Sequence, residues 1–221
     1  MKNLRLLIFD MDGVVLNSEP LHEQARQSMF RKYKIVQGKD FPKAVGFSAS
    51  GFWRRVIEQQ GIDADPMDLQ AEQYAQVEDQ IRKLGIRPID GAVQAFDWAK
   101  QHGLKLAIAS SSTQPLVDHA LELIGVKDYF DIILSGDDVH HKKPDPEIYS
   151  RVLKLAGISP EDAIAVEDTS SGVTSAQGAG LYCFGFHNPG SGNQDLSHAD
   201  KVIESLRELP GCFEAMIGEA L

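Results

Sequence analysis

The stretch "LLIFDMDGVVLNSEP", residues 6–20, runs from an apolar segment directly into two aspartates, Asp10 and Asp12, and then a glycine. An apolar run of this length predicts a buried strand with the acids at its carboxyl end. Two carboxylates at positions i and i+2 face the same side if the chain stays extended, and they repel unless a cation or a shared proton intervenes. The alternative is a strand followed by an ordinary polar turn, which Asp and Gly also favour. The ends of the other strands must decide between these two interpretations.

Short apolar runs recur along the chain and alternate with amphipathic segments that have helical periodicity. Two of those segments, "STQPLVDHALELIG" and "DPEIYSRVLKLAG", end at Gly125 and Gly157, which are typical helix stops. This alternation predicts an α/β fold, a Rossmann-like parallel sheet with helices on both faces. The predicted strands are Leu4–Phe9, Leu106–Ala109, Ile132–Leu134, Ala163–Val166 and Leu181–Phe186.

Residues 17–85 form an exception, because they contain three helical candidates and no convincing strand. The candidates are Glu19–Lys34, Ser48–Gln60 and Pro66–Leu84. A crossover of this length is far longer than a βαβ unit needs, so we predict an inserted, all-helical cap subdomain. The expected organisation is a Rossmann-like catalytic core of residues 1–16 and 86–221 and a helical cap of residues 17–85.

Composition narrows the classes of function. The 221 residues carry a formal net charge of −10 and no long basic cluster, which argues against nucleic acid as a partner. Only Cys183 and Cys212 are present, which suits a reducing compartment, and no apolar segment is long enough for a membrane span. We therefore expect a cytoplasmic protein without a membrane partner. The sequence leaves the oligomeric state open and is compatible with a monomer. The segment "HNPGSGNQD", residues 187–195, is predicted to be a surface loop.

Polar side chains follow three further strand ends. Ser110, Ser111 and Ser112 could bind a phosphate through hydroxyl and backbone N–H groups, or they could merely cap the next helix. Lys143 precedes a proline before a helix, where a lysine is usually solvated. Glu167 and Asp168 end the strand after that. Hard oxygen ligands from two strand ends predict a Mg²⁺ site.

Four segments in order, D-M-D-G-V, A-S-S-S, K-P-D-P-E and V-E-D-T-S-S-G, resemble the four motifs of the haloacid dehalogenase-like superfamily. The motif spacing and the helical insertion resemble its branch of β-phosphoglucomutases and sugar-phosphate phosphatases. The resemblance extends from Leu4 to about Phe186. It implies a phosphoryl-transfer enzyme that uses Mg²⁺ and acts on a small phosphorylated metabolite.

The resemblance also implies roles for individual residues. Asp10 would attack phosphorus and form an aspartyl phosphate, and Asp12 would act as the general acid and base. Ser110 would hold the phosphoryl oxygens, and Lys143 would bridge Asp10 and the phosphoryl group. The cation would lie on the Asp10 carboxylate, the Asp12 backbone carbonyl and Asp168, with Glu167 as a ligand or a support.

Two features of the cap bear on the substrate. The resemblance places His22 where the mutases have a histidine near the acid–base aspartate, although a packed or surface histidine is the alternative. The cap turn "VGFSASGFW" has Ala49 where the mutases continue with arginine, so a clamp for a second phosphate is missing there. We therefore predict a Mg²⁺-dependent phosphatase acting on a sugar or polyol phosphate. A β-phosphoglucomutase-type phosphotransferase and a non-catalytic binding protein on the same fold remain as alternatives.

Overall fold

The computed structural model describes residues 3–44 and 48–218. The chain divides into two units, one of Met1–Asn17 with Arg87–Leu221 and one of Ser18–Ile86. Within the described residues, no helix combines the length and the apolar content needed to cross a membrane.

The larger unit is built on a parallel six-stranded sheet, which confirms the predicted fold class. The strand order is β3-β2-β1-β4-β5-β6, the order of doubly wound sheets. Each predicted strand is present within two residues of its expected bounds, and β6 was not predicted. The strands are β1 Leu6–Phe9, β2 Lys105–Ala109, β3 Ile132–Leu134, β4 Ala163–Glu167, β5 Tyr182–Phe186 and β6 Lys201–Ile203.

Helices cover both faces of this sheet. Because side chains alternate along a strand, Leu6 and Ile8 of β1 point to one face and pack in a core cluster with side chains of α6 and α7. Phe9 points to the other face and meets Phe96 of α4 edge to face, with ring centroids 5.1 Å apart. The helices of this unit are α4 Ala92–Gln101, α5 Gln114–Leu123, α6 Glu147–Ala156, α7 Ser170–Gly178 and α8 Leu209–Gly218.

The direction in which strands are added to the sheet reverses at β1, which lies between β2 and β4. Open α/β sheets bind their ligands at such a switch point, beyond the carboxyl ends of the strands. The register pairs Phe9 with Val166, and the N–H of Asp10 donates to the Val166 carbonyl at 3.0 Å. The first and fourth acidic motifs therefore lie side by side at this edge.

The smaller unit contains α1 Glu19–Lys32, α2 Ala49–Gln60 and α3 Pro66–Leu84. Helix α3 begins after Asp65, whose carboxylate accepts from the Met67 N–H at 2.7 Å, and it ends at Gly85 in the left-handed conformation. The aromatic core of the smaller unit includes Phe30, Phe52 and Trp53. The two aromatic residues of α2 thus pack between helices of this unit.

Candidate active site

Lys143 is the centre of the polar cluster at the carboxyl ends of β1 and β4. Its Nζ donates to Asp10 Oδ1 at 2.6 Å, to Glu167 Oε1 at 2.5 Å and to the Ala109 carbonyl at 2.8 Å. These three acceptors match the three hydrogens of an ammonium group. The side chain is only 5% exposed, so this lysine is not the solvated residue that its type usually is.

Burial sets the protonation of this cluster. Burial would lower the pKa of Lys143, but the carboxylates of Asp10 and Glu167 outweigh it and raise that pKa, so the ammonium stays charged. Burial also raises the pKa of Asp10 well above its usual range, and the charge of Lys143 only partly offsets this effect. Burial and the charge of Glu167 raise the pKa of Asp168 to about 7. If all three acids were ionised, the cluster would therefore carry more negative charge than one lysine balances.

The oxygen atoms of these acids fit a divalent cation. Asp10, Glu167 and Asp168 are buried, and each offers an oxygen within 4.8 Å of those of the other two. Glu167 Oε2 and Asp168 Oδ1 are buried without a hydrogen-bond partner among the described residues. Buried polar atoms are rarely left unpaired, and carboxylate oxygens are the ligands that hard cations prefer. A cation at this point would satisfy both atoms and offset the excess negative charge.

Glycine permits the close approach of the two acidic strand ends. Gly13 has a φ of +85°, and a Cβ there would collide with the carboxylate of Asp168. Gly172, in the first turn of α7, lies against Glu167 in the same way. Gly13 therefore lets the turn after the first acidic motif approach Asp168 of the other strand end, and Gly172 leaves room for Glu167 of its own motif.

Two of the three serines after β2 form hydrogen bonds with Asp12, and the third does not face it. The hydroxyls of Ser112 and Ser110 donate to Asp12 Oδ2 at 2.8 and 3.3 Å. The Ser112 N–H donates to the Ser110 hydroxyl at 3.1 Å, which fixes the turn. Ser111 is exposed instead, and its carbonyl accepts from Lys142. Phosphate binding by any of the three serines therefore stays a prediction, and the contacts present hold Asp12.

The loop of residues 187–195, which the sequence presents as a surface loop, has a buried anchor that this prediction missed. Asn188 is 7% exposed, and its Nδ2 donates to the Gly13 carbonyl at 2.8 Å. The hydroxyl of Ser191 donates to Asp168 Oδ2. The prediction was wrong for the buried Asn188 and did not foresee the contact of the partly exposed Ser191, because the Pro/Gly-rich composition indicates a turn and carries no signal for what the turn packs against.

His22 lies in the smaller unit, in a buried chain of hydrogen bonds. The indole Nε1 of Trp53 donates to Gln73 Oε1 at 2.8 Å, and Gln73 Nε2 lies 3.0 Å from His22 Nδ1. Because an indole N–H can only donate, the Gln73 oxygen must face Trp53 and its amide must donate to Nδ1. Neutral His22 therefore carries its proton on Nε2. Its expected role in substrate binding stays a prediction, and residues 45–47 of the cap turn lie outside the described residues.

Replacing Gln73 with leucine should lower the free energy of unfolding by about 1–3 kcal/mol, because it removes the oxygen that accepts from the buried Trp53 N–H and the amide that donates to His22 Nδ1. Urea denaturation measures this loss. The matched control is Gln76→Leu on the same helix, whose amide makes only a 3.4 Å contact with Glu72. Equal stability of the two variants would contradict the proposed chain.

The comparisons with known proteins agree with this geometry. Residues 7–186 match the family model described as haloacid dehalogenase-like hydrolase. The chain belongs to this family. Protein CbbY of Rhodobacter capsulatus is 30% identical over 92% of this chain and 94% of its own length. Fructose-1-phosphate phosphatase YqaB of Escherichia coli is 28% identical over 79% of this chain and 92% of its own length.

A solved structure supports the same assignment. CbbY from Rhodobacter sphaeroides in complex with phosphate superposes with a TM-score of 0.84 at 25% identity, over 93% of this chain and 96% of that one. The chain is therefore a haloacid dehalogenase-like hydrolase that is similar to enzymes named as phosphatases of phosphorylated sugars. Its acidic cluster fits the divalent cation that such enzymes generally use.

Proposed function

We propose that this hydrolase is a Mg²⁺-dependent phosphatase that cleaves a small sugar or polyol phosphate through an aspartyl-phosphate intermediate. The observation that carries the proposal is the buried cluster in which Lys143 forms ion pairs with both Asp10 and Glu167, beside Asp168. Such a cluster suits an anionic nucleophile that must approach an anionic substrate. The names of the relatives support the substrate class, since YqaB is named for fructose 1-phosphate and the Thermotoga maritima relative for phosphorylated carbohydrates.

Charge is the main obstacle to this reaction. A carboxylate about 4 Å from one phosphate charge meets roughly 4 kcal/mol of repulsion at an intermediate dielectric. Asp10, the Asp12 carbonyl and Asp168, with Glu167 as ligand or support, would hold a Mg²⁺ ion, and its two positive charges would offset this repulsion. Lys143 supplies a third charge at the nucleophile itself, 2.6 Å from Asp10 Oδ1. The lysine also orients the Asp10 carboxylate for attack.

The chemical steps need two carboxyl groups with different tasks. A carboxylate oxygen of Asp10 attacks phosphorus, and the bond to the leaving alkoxide breaks. Asp12 protonates that alkoxide, then takes a proton from the water that hydrolyses the aspartyl phosphate and releases inorganic phosphate. The hydroxyls of Ser110 and Ser112 hold Asp12 in place for both proton transfers.

The experiment that tests this function is a phosphate-release assay. The purified protein is incubated with a panel of phosphorylated sugars, polyols and other small metabolites, with MgCl₂ or with EDTA. Release of inorganic phosphate that needs the cation supports the proposal. An isomeric product that appears only with a bisphosphate primer would replace it with the phosphotransferase alternative. No turnover of any compound would favour the non-catalytic alternative.

Mg²⁺ should stabilise the metal-free protein more at pH 8 than at pH 5. The pKa of Asp168 is raised to about 7, so the folded state holds protons that the unfolded state has lost between about pH 4 and 7. The metal-free protein therefore loses stability as the pH rises through this window. Above this pH window Mg²⁺ meets an ionised Asp168, and at lower pH protons compete for the same oxygens.

At pH 8 and a Mg²⁺ concentration of 100 Kd, the expected gain is about 2.7 kcal/mol. This corresponds to roughly 5–10 °C in Tm for a chain of this size. At pH 5 the shift should fall to a small part of that value. Thermal denaturation with and without MgCl₂ at both pH values measures the effect, with NaCl of equal ionic strength as control. Equal shifts at the two pH values would contradict the prediction.

A further inference from the structure

Glu167 and Asp168, at the end of β4, each accept a hydrogen bond from a hydroxyl group with one carboxylate oxygen. The other oxygen of each has no hydrogen-bond partner among the described residues. Glu167 Oε1 accepts from the Tyr149 phenol and from Lys143, while its Oε2 is buried without a partner among the described residues. Asp168 Oδ2 accepts from the Ser191 hydroxyl, while its Oδ1 is buried and likewise unpartnered within the described chain. Neither Tyr149 nor Ser191 carries one of the roles assigned above.

Tyr149 approaches Glu167 from a rigid element. It lies in α6, is fully buried, and belongs to the core cluster that also contains Ile8 and Ala165 of the sheet. Its ring can therefore hardly change orientation without disturbing the core. The phenol donates to the oxygen that Lys143 also bonds, so both donors hold Glu167 by the same atom.

Ser191 contacts Asp168 from the loop after β5. Asn188 fixes this loop, because its Nδ2 donates to the Gly13 carbonyl and its Oδ1 accepts from the Gly190 N–H, both at 2.8 Å. Asn17 Oδ1 lies against Gly190, so a side chain at that position would collide with it. The loop is thereby tied to the turn after Asp12, and Ser191 is held at Asp168.

We propose that Tyr149 and Ser191 are positioning residues that hold Glu167 and Asp168 by one oxygen each, so that the other oxygen is presented to the cation. This inference rests on the proposed function, because it takes the cation to be the Mg²⁺ of the phosphatase. Neutral hydroxyls suit the task, since they fix the orientation of a carboxylate without cancelling the charge that attracts the ion. A lysine or arginine in place of either hydroxyl would add to the positive charge that Lys143 already supplies at Glu167 and would compete with the cation.

The test is the binding of MgCl₂ alone, by isothermal titration calorimetry on the intact, metal-free protein. Tyr149→Phe and Ser191→Ala should each raise the Mg²⁺ dissociation constant about 10- to 100-fold, the usual effect of removing a group that orients a metal ligand. Ser191→Thr keeps the hydroxyl and should restore most of the affinity. The matched controls are Tyr129→Phe, whose phenol bonds the exposed Asp97, and Ser197→Ala on the surface. Both should bind Mg²⁺ as the unaltered protein does.

A kinetic readout separates positioning from general loss of structure. The Mg²⁺ concentration for half-maximal phosphate release should rise in both variants, while kcat at saturating Mg²⁺ should change less. Unaltered dissociation constants in both folded variants would overturn the positioning role and leave the phosphatase proposal standing. Failure of the unaltered protein to bind Mg²⁺ would overturn both. If Tyr149→Phe does not fold, Ser191→Ala, which changes a partly exposed loop residue, decides the matter.

Discussion

Replacing Asp10 with asparagine should abolish phosphate release, with a loss on the order of 10⁴- to 10⁶-fold, the scale seen when a nucleophile is removed. The amide is a far weaker nucleophile than a carboxylate. The fold should stay intact, because asparagine has nearly the same volume and its oxygen can still accept from Lys143. Steady-state phosphate release measures the loss, and circular dichroism checks the fold.

The charge of the cluster also predicts how Asp10→Asn changes the stability of the protein. Burial raises the pKa of Asp10, and Glu167, Asp168 and Asp12 raise it further, so an ionised Asp10 costs the metal-free protein stability. Removing that charge should therefore leave the thermal stability at pH 8 equal or higher while activity disappears. The matched control is Asp97→Asn, which alters an exposed carboxylate on α4 and should keep full activity. An Asp10→Asn enzyme that turns over at even one hundredth of the normal rate would remove Asp10 as the nucleophile.

The sequence predicts that the two acidic motifs lie close together, because their proximity depends on the local pattern of apolar residues in each strand. Each strand is a continuous apolar run, and parallel strands that flank the switch point must bring their carboxyl ends together. Asp10 and Glu167 end two such runs, so their proximity follows once the sheet is recognised. The same logic could place Lys143 near this edge, yet it could not predict that the side chain would be buried. Its burial depends on carboxylates 133 and 24 residues away.

The features that sequence reasoning missed are tertiary contacts without a local signal. Strand β6 has only three residues, and Lys201 and Val202 are exposed, so it lacks the apolar run that identifies the other strands. Ser191 reaches Asp168 across 23 residues through a loop whose composition indicates only a turn. Which of Ser110, Ser111 and Ser112 faces Asp12 depends on the backbone of the turn, and a run of identical residues cannot show it.

Replacing Lys143 with methionine should cost about 3–5 kcal/mol of unfolding free energy at pH 8, the usual penalty for leaving buried charges without their partner. Asp10 and Glu167 would lose their common donor, and both are almost fully buried. Methionine fills the space of the aliphatic part of the lysine side chain. The loss of stability would therefore come from the missing charge and not from a cavity. Urea denaturation of the metal-free protein measures it, and phosphate release should fall at the same time because the nucleophile loses its orienting cation.

The pH dependence of this loss distinguishes charge from packing. Without the ammonium, Asp10, whose pKa is already raised by burial, should bind protons still more readily in the folded state than in the unfolded state. Lowering the pH from 8 to 5 should therefore recover much of the lost stability. Lys142→Met is the matched control, because the neighbouring lysine is exposed and makes only a 3.3 Å contact with the Ser111 carbonyl. If the two methionine variants were equally stable at pH 8, or if the loss at Lys143 did not change with pH, the buried ammonium would not be what holds the acids together.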